Sequence, residues 1–176
     1  NLDLQHGGDY EQMRNELLQY KDVLAVTGAQ EATGRWQRKW TAKIEGKELA
    51  VEGLTVDANY PEIFDLEIIN GRSFDEQKEL DKTQSVLINE TLKKQMGWEH
   101  SIDKTLQIGE QNYYVIGELQ DFHFESFDSD IKPLVVRMGA PTDFRYIAIK
   151  TTAGEMTETA KEIETIWRKI YPTLPY

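Results

Sequence analysis

The sequence contains no cysteine among its 176 residues. The chain therefore cannot form disulfides or thiolate metal sites, and it has no cysteine nucleophile. Its longest apolar stretches, at residues 113–116 and 133–136, fall far short of the ~20 residues that a membrane-spanning helix needs. The first residues contain no basic segment followed by an apolar one, so we expect no signal peptide within the given residues. The chain begins at Asn1 instead of methionine, so we expect a segment excised from a longer protein.

Positive charge is scarce as well. The chain has 20 Lys and Arg residues against 31 Asp and Glu residues, a formal net charge of −11, and a pI near 4.8. A negatively charged protein repels the phosphate backbone of nucleic acids, and the sequence contains no cluster of basic residues that could bind it locally. We therefore do not expect nucleic acid as a partner. The apolar fraction of 39% is ordinary for a folded domain, and the length suits one domain or one domain with an inserted lobe.

Recognisable catalytic motifs are missing from the sequence. No serine stands in a Gly-x-Ser-x-Gly turn, and neither a phosphate-binding loop nor a dinucleotide-binding glycine pattern occurs. His6 and His100 have no carboxylate nearby at a spacing that suggests a catalytic pair. We therefore predict no enzymatic activity, no cofactor and no metal site. A hydrolase with an unrecognised site is the minor alternative.

One polar segment leaves two interpretations open. In residues 121–125 an extended chain would place both Phe side chains on one face and Asp121, His123 and Glu125 on the other. Three such ligands could hold a divalent cation. The favoured interpretation is that the Phe pair anchors the segment while the polar residues form local hydrogen bonds, because no further ligand stands at a suitable spacing.

Basic and aromatic side chains alternate in one short stretch of this acidic chain. Trp36, Arg38 and Trp40 lie there, and Trp and Arg are favoured at protein interfaces. The favoured interpretation is a twisted hairpin with one Trp directed inward and basic edges that prevent aggregation. The alternative is a contact surface for a partner protein, formed by these three residues.

The apolar pattern predicts an α+β fold, since helices and strands interleave without regular βαβ alternation. Asn89 is predicted to cap a helix that Gly97 ends, and residues 75–83 are predicted to form a loop. The predicted helices cover residues 10–20, 60–64, 89–97 and 152–171, and the predicted strands cover residues 22–29, a stretch after Gly34, 49–56, 66–69, 85–88, 105–108, 113–119, 132–138 and 146–150.

The order of several segments resembles the extracytoplasmic core domain of the MacB/FtsX-like ABC transporter permeases. Residues 56–74, which read VDANYPEIFDLEIINGRSF, are similar to the centre of that domain. The other similar segments follow in the family's order: 86–90, 102–109, 114–117, 121–126 and 131–134. Asp103 stands where the family usually has Gly, and Glu118 stands where an apolar residue is usual. The matching positions are glycines, turns and core residues, so they carry no transport-specific role.

The resemblance implies a two-lobed domain. A porter-like βαβ lobe would hold residues 1–57 and 128–176, and a smaller mixed α/β lobe inserted in it would hold residues 58–127. The domain would lie on the periplasmic side, looped out between the first two membrane helices, with both chain ends facing the membrane.

In that family, ATP is hydrolysed by a cytoplasmic ATP-binding cassette subunit or module. The resemblance implies that this domain transmits the resulting motion to substrates or partners. It further implies a homodimer or pseudo-dimer and an extracytoplasmic protein or peptide partner. A sensor domain that binds a small molecule between the lobes is the alternative.

Overall fold

The structure is a computed structural model. It describes residues 2–3, 10–32, 38–122, 130–152 and 156–172. The strands are β1 (Leu2–Asp3), β2 (Val23–Ala29), β3 (Lys39–Ile44), β4 (Lys47–Val56), β5 (Ile68–Gly71), β6 (Ser85–Asn89), β7 (Thr105–Ile108), β8 (Gln111–Leu119), β9 (Leu134–Met138) and β10 (Tyr146–Thr151). The helices are α1 (Tyr10–Leu17), α2 (Tyr60–Ile63), α3 (Glu79–Thr83), α4 (Glu90–Met96) and α5 (Met156–Ile170), with a 3-10 turn at Pro141–Asp143. This confirms the mixed α/β class.

Six strands close into a small barrel in the order β3-β4-β9-β6-β8-β7, with β7 returning to β3. Closure depends on the length of β4. Its first half pairs with β3, and its second half pairs in parallel with β9 on the opposite edge. The amide of Gly53 donates to Arg38 O and that of Glu52 donates to Pro133 O, each at 2.8 Å. Successive residues of β4 therefore direct their backbone amides to opposite edges of the strand, so that β4 can pair on both sides.

The barrel interior is apolar and buried. Leu92 of α4 and Trp98, just after that helix, pack against it from one end. Because side chains alternate along a strand, each barrel strand sends every second residue inward. The inward-facing buried residues are Ala42, Ile44, Val51, Val86, Ile88, Leu106, Tyr113, Val115 and Val135.

Two further cores lie outside the barrel. The outward residues of β4, β6 and β9 pack beneath α2 and the segment after it, with Leu54, Leu87 and Val136 fully buried. The second outer core lies where α1 and α5 cover one face of the β2–β10 pair, around Met13 and Trp167. The predicted apolar face of the first helix is confirmed, because Tyr10, Met13 and Leu17 are all buried.

Helix α4 has both predicted ends. The Asn89 side chain accepts a hydrogen bond from the Leu92 amide at 3.1 Å, and Gly97 adopts the left-handed conformation with φ of 66°. The same Asn89 carboxamide also accepts from the Leu134 amide and donates to Lys132 O, each at 2.9 Å. It therefore fixes the chain at the start of β9 as well as the helix.

The predicted loop over residues 75–83 is wrong in its second half, where α3 forms. The helix forms there because Asp81 is buried, with only 1% of its surface exposed. Its carboxylate accepts hydrogen bonds from the Arg72 guanidinium, from Ser85 Oγ at 3.0 Å and from the Asp75 amide at 2.9 Å. Asp81 belongs to an acidic run in the sequence, but in the fold its carboxylate is buried and hydrogen-bonded. The residues around it form the short helix α3.

Both departures from the family pattern have a structural explanation. Asp103 takes a positive φ of 65°, the conformation for which glycine is the usual choice. Glu118 is 2% exposed, and both of its oxygens lie 3.0 Å from Lys93 Nζ. Ser101 Oγ also donates to it, at 3.0 Å. The inward-facing acid is therefore paired inside the fold.

The division into two lobes stays a prediction. Strands from both predicted segments are hydrogen-bonded neighbours, as β3 is with β7 and β6 is with β9. The end residues Asn1 and Tyr176 lie outside the described residues, so the expected position of the chain ends also stays a prediction. Within the described ranges, no helix is both long enough and apolar enough to cross a bilayer.

Candidate functional site: two adjoining clefts

The predicted partner surface is described only in part. Trp36 lies outside the described residues. Arg38 is 47% exposed, and its guanidinium donates to Gln30 Oε1 at 2.5 Å. Trp40 is half-buried, with the Arg137 guanidinium 5.3 Å from its ring centroid, and a Cβ on Gly53 would come within 2.1 Å of that ring. Trp40 therefore packs into the barrel end, and the partner contact stays a prediction.

The polar trio of residues 121–125 is described only at Asp121, since His123 and Glu125 lie outside the described residues. The Asp121 carboxylate accepts hydrogen bonds from the Thr91 amide at 2.9 Å and from Thr91 Oγ1 at 2.8 Å. It thus supports the first turn of α4, as the local hydrogen-bonding interpretation requires. In the part of the chain that the structure describes, no three His, Asp or Glu residues are grouped to hold a metal ion.

Two adjoining clefts lie beside α1 on the described part of the chain. Cleft A, of 680 Å³, lies between Arg14, the first turn of α2 and residues 66–68 and 73–77. Cleft B, of 540 Å³, lies between α1, residues 76–83 and residues 138–144. Arg14, Glu76 and Gln77 line both clefts. The walls of cleft B come from both predicted lobes, so the clefts lie where those lobes would meet.

Carboxylates outnumber basic groups in each cleft. Cleft A has one guanidinium, that of Arg14, against Glu62, Asp75 and Glu76. Cleft B has two basic side chains, Arg14 and Lys82, against four carboxylates contributed by Glu11, Asp57, Glu76 and Glu79. Both clefts therefore favour cationic groups over anionic ones.

A buried tyrosine and carboxylate form the wall of cleft B nearest to α1. Tyr10 is 3% exposed, and its hydroxyl donates to Asp57 Oδ2. Burial first, and the neighbouring Asp57 charge second, raise the pKa of Tyr10 far above its usual value. The tyrosine therefore stays protonated and acts as a hydrogen-bond donor that positions Asp57.

Arg14 lines both clefts, and its side chain forms no hydrogen bond with the described residues. Its Nε lies 4.0 Å from Asp57 Oδ2, and its Nη2 lies 3.9 Å from Glu76 Oε2. Both separations exceed hydrogen-bonding distance. Within the part of the chain that the structure describes, Arg14 Nε and Asn59 Oδ1 are enclosed and have no hydrogen-bond partner, although Asn59 Nδ2 donates to Val26 O at 2.9 Å. Buried polar atoms are seldom left in this state.

Sequence reasoning missed these clefts because their walls are distant in the chain. Arg14 and Glu76 are brought together by the fold, and no local motif marks either residue. The one signal available was the acidic run at residues 75–81, which the charge pattern explains equally well as a solvated face.

Comparison with known proteins identifies the family. The chain belongs to the MacB-like periplasmic core domains, whose family model matches residues 5–166. No curated protein matches the sequence. The periplasmic region of MacB from Actinobacillus actinomycetemcomitans is similar in structure, with a TM-score of 0.71 and 15% identity over 98% of this chain and 75% of that one.

A second similar structure is the extracellular domain of the noncanonic ABC-type transporter YknZ from Gram-positive bacteria. Its TM-score is 0.72, with 17% identity over 94% of this chain and 85% of that one. At such low identities the structural likenesses show the fold. The family model independently confirms the resemblance drawn from the sequence.

Proposed function

We propose that this chain is the extracytoplasmic domain of a MacB-like ABC transporter permease and transmits motion between the membrane region and substrates or partners outside. Membership of the family of MacB-like periplasmic core domains is the observation that carries the proposal. ATP hydrolysis would take place in an associated ATP-binding cassette subunit. The proposal gives this chain no catalytic step and no cofactor.

The packing of the described residues supports a mechanical role. Hydrogen-bonded strands run from β10 through β2 and β4 into the barrel, so a displacement at one edge is passed on through covalent and backbone contacts. Cleft B lies beside this run of strands, where residues 76–83 face α1 across open space. A change in the width of that cleft is the simplest internal movement that leaves the sheet intact.

The absence of native cysteine gives a direct test. In cells that make the complete permease and its ATPase, Gln77→Cys would place one thiol of this domain in both clefts. We expect a membrane-impermeant maleimide to label it in intact cells, at a rate that changes when the ATPase is catalytically inactivated. Labelling that requires permeabilised cells would contradict the location. A rate independent of ATPase activity would contradict the coupling.

The two clefts favour ligand binding as a second candidate function. Volumes of 680 and 540 Å³ lie in the range of small-molecule sites. A ligand at 100 times its Kd should stabilise the folded chain by about 2.7 kcal/mol. A thermal-shift screen of cationic and zwitterionic small molecules tests this function, and a screen without any stabilising compound would reject it.

A further inference from the structure

Cleft A combines an apolar floor with an acidic rim. Four apolar side chains form the floor, and Glu62, Asp75 and Glu76 stand around it. Glu62 is exposed, and the Glu76 side chain is 56% exposed, so both carboxylates are available to an incoming group. The floor residues are Pro61, Leu66, Ile68 and Phe74. Such a surface suits a ligand in which apolar and positively charged side chains alternate.

The unpaired polar atoms give a second and independent observation. One is a hydrogen-bond donor, Arg14 Nε, and the other is an acceptor, Asn59 Oδ1. Both belong to residues that line cleft A. A peptide group carries one acceptor and one donor, so it supplies what both atoms lack. A simple ammonium ion supplies donors only, and a phosphate or carboxylate supplies acceptors only.

We propose that cleft A binds an extended segment of a protein partner, with basic side chains. Its cationic groups would lie against Glu62 and Glu76, its apolar side chains on the floor, and one of its peptide groups between Arg14 and Asn59. This inference rests on the proposed function, because an extracytoplasmic transport domain is what would meet such a segment.

Binding requires a small opening of the cleft. Arg14 Nε and Asn59 Oδ1 are enclosed, so the peptide reaches them only when the Arg14 side chain moves away from Glu76. The present Arg14–Glu76 separation of 3.9 Å is a weak ionic contact of half-exposed groups, which an incoming cation can replace. Glu76 would then contact a basic side chain of the peptide in place of the Arg14 guanidinium.

Calorimetric titration of the 176-residue chain with two capped hexapeptides tests the proposal. One alternates leucine with lysine and the other alternates leucine with glutamate, so they differ in charge while sharing length and main chain. We expect the lysine peptide to bind at least tenfold more tightly. Glu62→Gln and Glu76→Gln should each weaken it about threefold, and Glu76→Lys at least tenfold, because each removes or reverses a rim charge.

Glu110→Gln is the matched control, since Glu110 is an exposed carboxylate in the β7–β8 turn and does not line either cleft. It should leave the Kd unchanged even though it alters the net charge equally. A lysine peptide that is N-methylated at its central bonds tests the main-chain contact. It should bind at least fivefold more weakly, because it has lost the donors that Asn59 Oδ1 requires.

Three results would overturn the proposal: equal affinity for both hexapeptides, equal effects of Glu76→Gln and Glu110→Gln, or full affinity of the N-methylated peptide. These outcomes concern peptide binding and not transport, and Glu62→Gln assigns the binding to cleft A, because Glu62 lines cleft A and not cleft B. The maleimide assay reports location and ATP coupling, so loss of the peptide site and loss of the transport role are distinguishable.

Discussion

The buried pair of Lys93 and Glu118 offers the sharpest test of the packing. Lys93→Met would leave the Glu118 carboxylate inside the fold with Ser101 as its remaining hydrogen-bond donor from a side chain. Two charges 3 Å apart attract by about 5 kcal/mol at an effective dielectric constant of 20. Water reaches Lys93, whose side chain is 24% exposed, and this reduces the net effect. We expect a loss of about 3 kcal/mol in the free energy of unfolding.

Chemical denaturation of the purified chain near neutral pH measures this loss, and Lys94→Met is its matched control. Lys94 stands on the same helix, but its side chain is 69% exposed and contacts Glu90 and Asp121 only at 3.8 and 3.6 Å. Exposed pairs of this kind contribute little, so we expect the control to change stability by about 0.5 kcal/mol or less. The two substitutions have the same effect on helix propensity, which therefore cancels.

A second substitution separates an unpaired charge from lost packing. Glu118→Gln added to Lys93→Met removes the stranded charge and should restore about 1 kcal/mol or more. If Lys93→Met and Lys94→Met destabilise the chain equally, or if Glu118→Gln restores nothing, the reasoning about this buried pair is refuted.

Three further substitutions test other internal contacts. Asp81→Asn should cost about 2–4 kcal/mol by chemical denaturation, because it disrupts the buried pairing with Arg72. Gly53→Ala should cost about 1–3 kcal/mol, because the added methyl group meets the Trp40 ring, and the near-ultraviolet circular dichroism should change with it. Asn89→Ala should cost about 2–4 kcal/mol, since one buried side chain serves the α4 cap and the start of β9.

Controls of matching chemistry accompany these variants. Asp130→Asn and Asn112→Ala alter exposed residues and should each change stability by about 0.5 kcal/mol or less. If Asp81→Asn or Asn89→Ala is as mild as its control, the buried contact assigned to it contributes nothing. Gly53→Ala with unchanged stability and an unchanged spectrum would contradict the close Trp40 packing.

Asp81 also predicts the effect of acid. Burial raises the pKa of Asp81, but hydrogen bonds from Arg72, the Asp75 amide and Ser85 outweigh it, so the folded-state pKa lies below the usual value. Its contribution to stability is therefore present above the pKa of the unfolded chain, near 4, and is lost as pH falls through the lower folded-state value. Stability should fall on acidification below about pH 4, and less steeply in Asp81→Asn. Equal slopes would contradict this assignment.

Local signals predicted most of the secondary structure. Asn89 and Gly97 mark the ends of α4 because capping and left-handed stops are determined by neighbouring residues. The alternation of β8 and the apolar face of α1 follow from burial on one side. Barrel closure could not be predicted in this way, since it depends on the pairing of β4 with β9, whose residues are far apart in the chain.

The burial and pairing of charged side chains also could not be predicted from the sequence. Asp81 belongs to a predicted polar loop, and Glu118 stands where an apolar residue is usual. Both are buried, and the fold pairs them with Arg72 and Lys93 respectively. The same holds for the clefts, because Arg14 lies between Asp57 and Glu76 through contacts between residues that are far apart in the chain. The residues next to a carboxylate in the sequence do not show whether it will be buried and paired or exposed to solvent.

Movement that depends on ATP is the central claim, and a distance measurement in the assembled transporter tests it most directly. Leu80 is 64% exposed on α3, so Leu80→Cys can carry a spin label without disturbing a core. In the homodimer that the family resemblance implies, each copy of the domain would carry one label. Pulsed electron paramagnetic resonance on the reconstituted permease with its ATPase would then give the separation between copies. We predict different distance distributions in the nucleotide-free and ATP-bound states. Identical distributions in both states, with an active ATPase, would contradict the account.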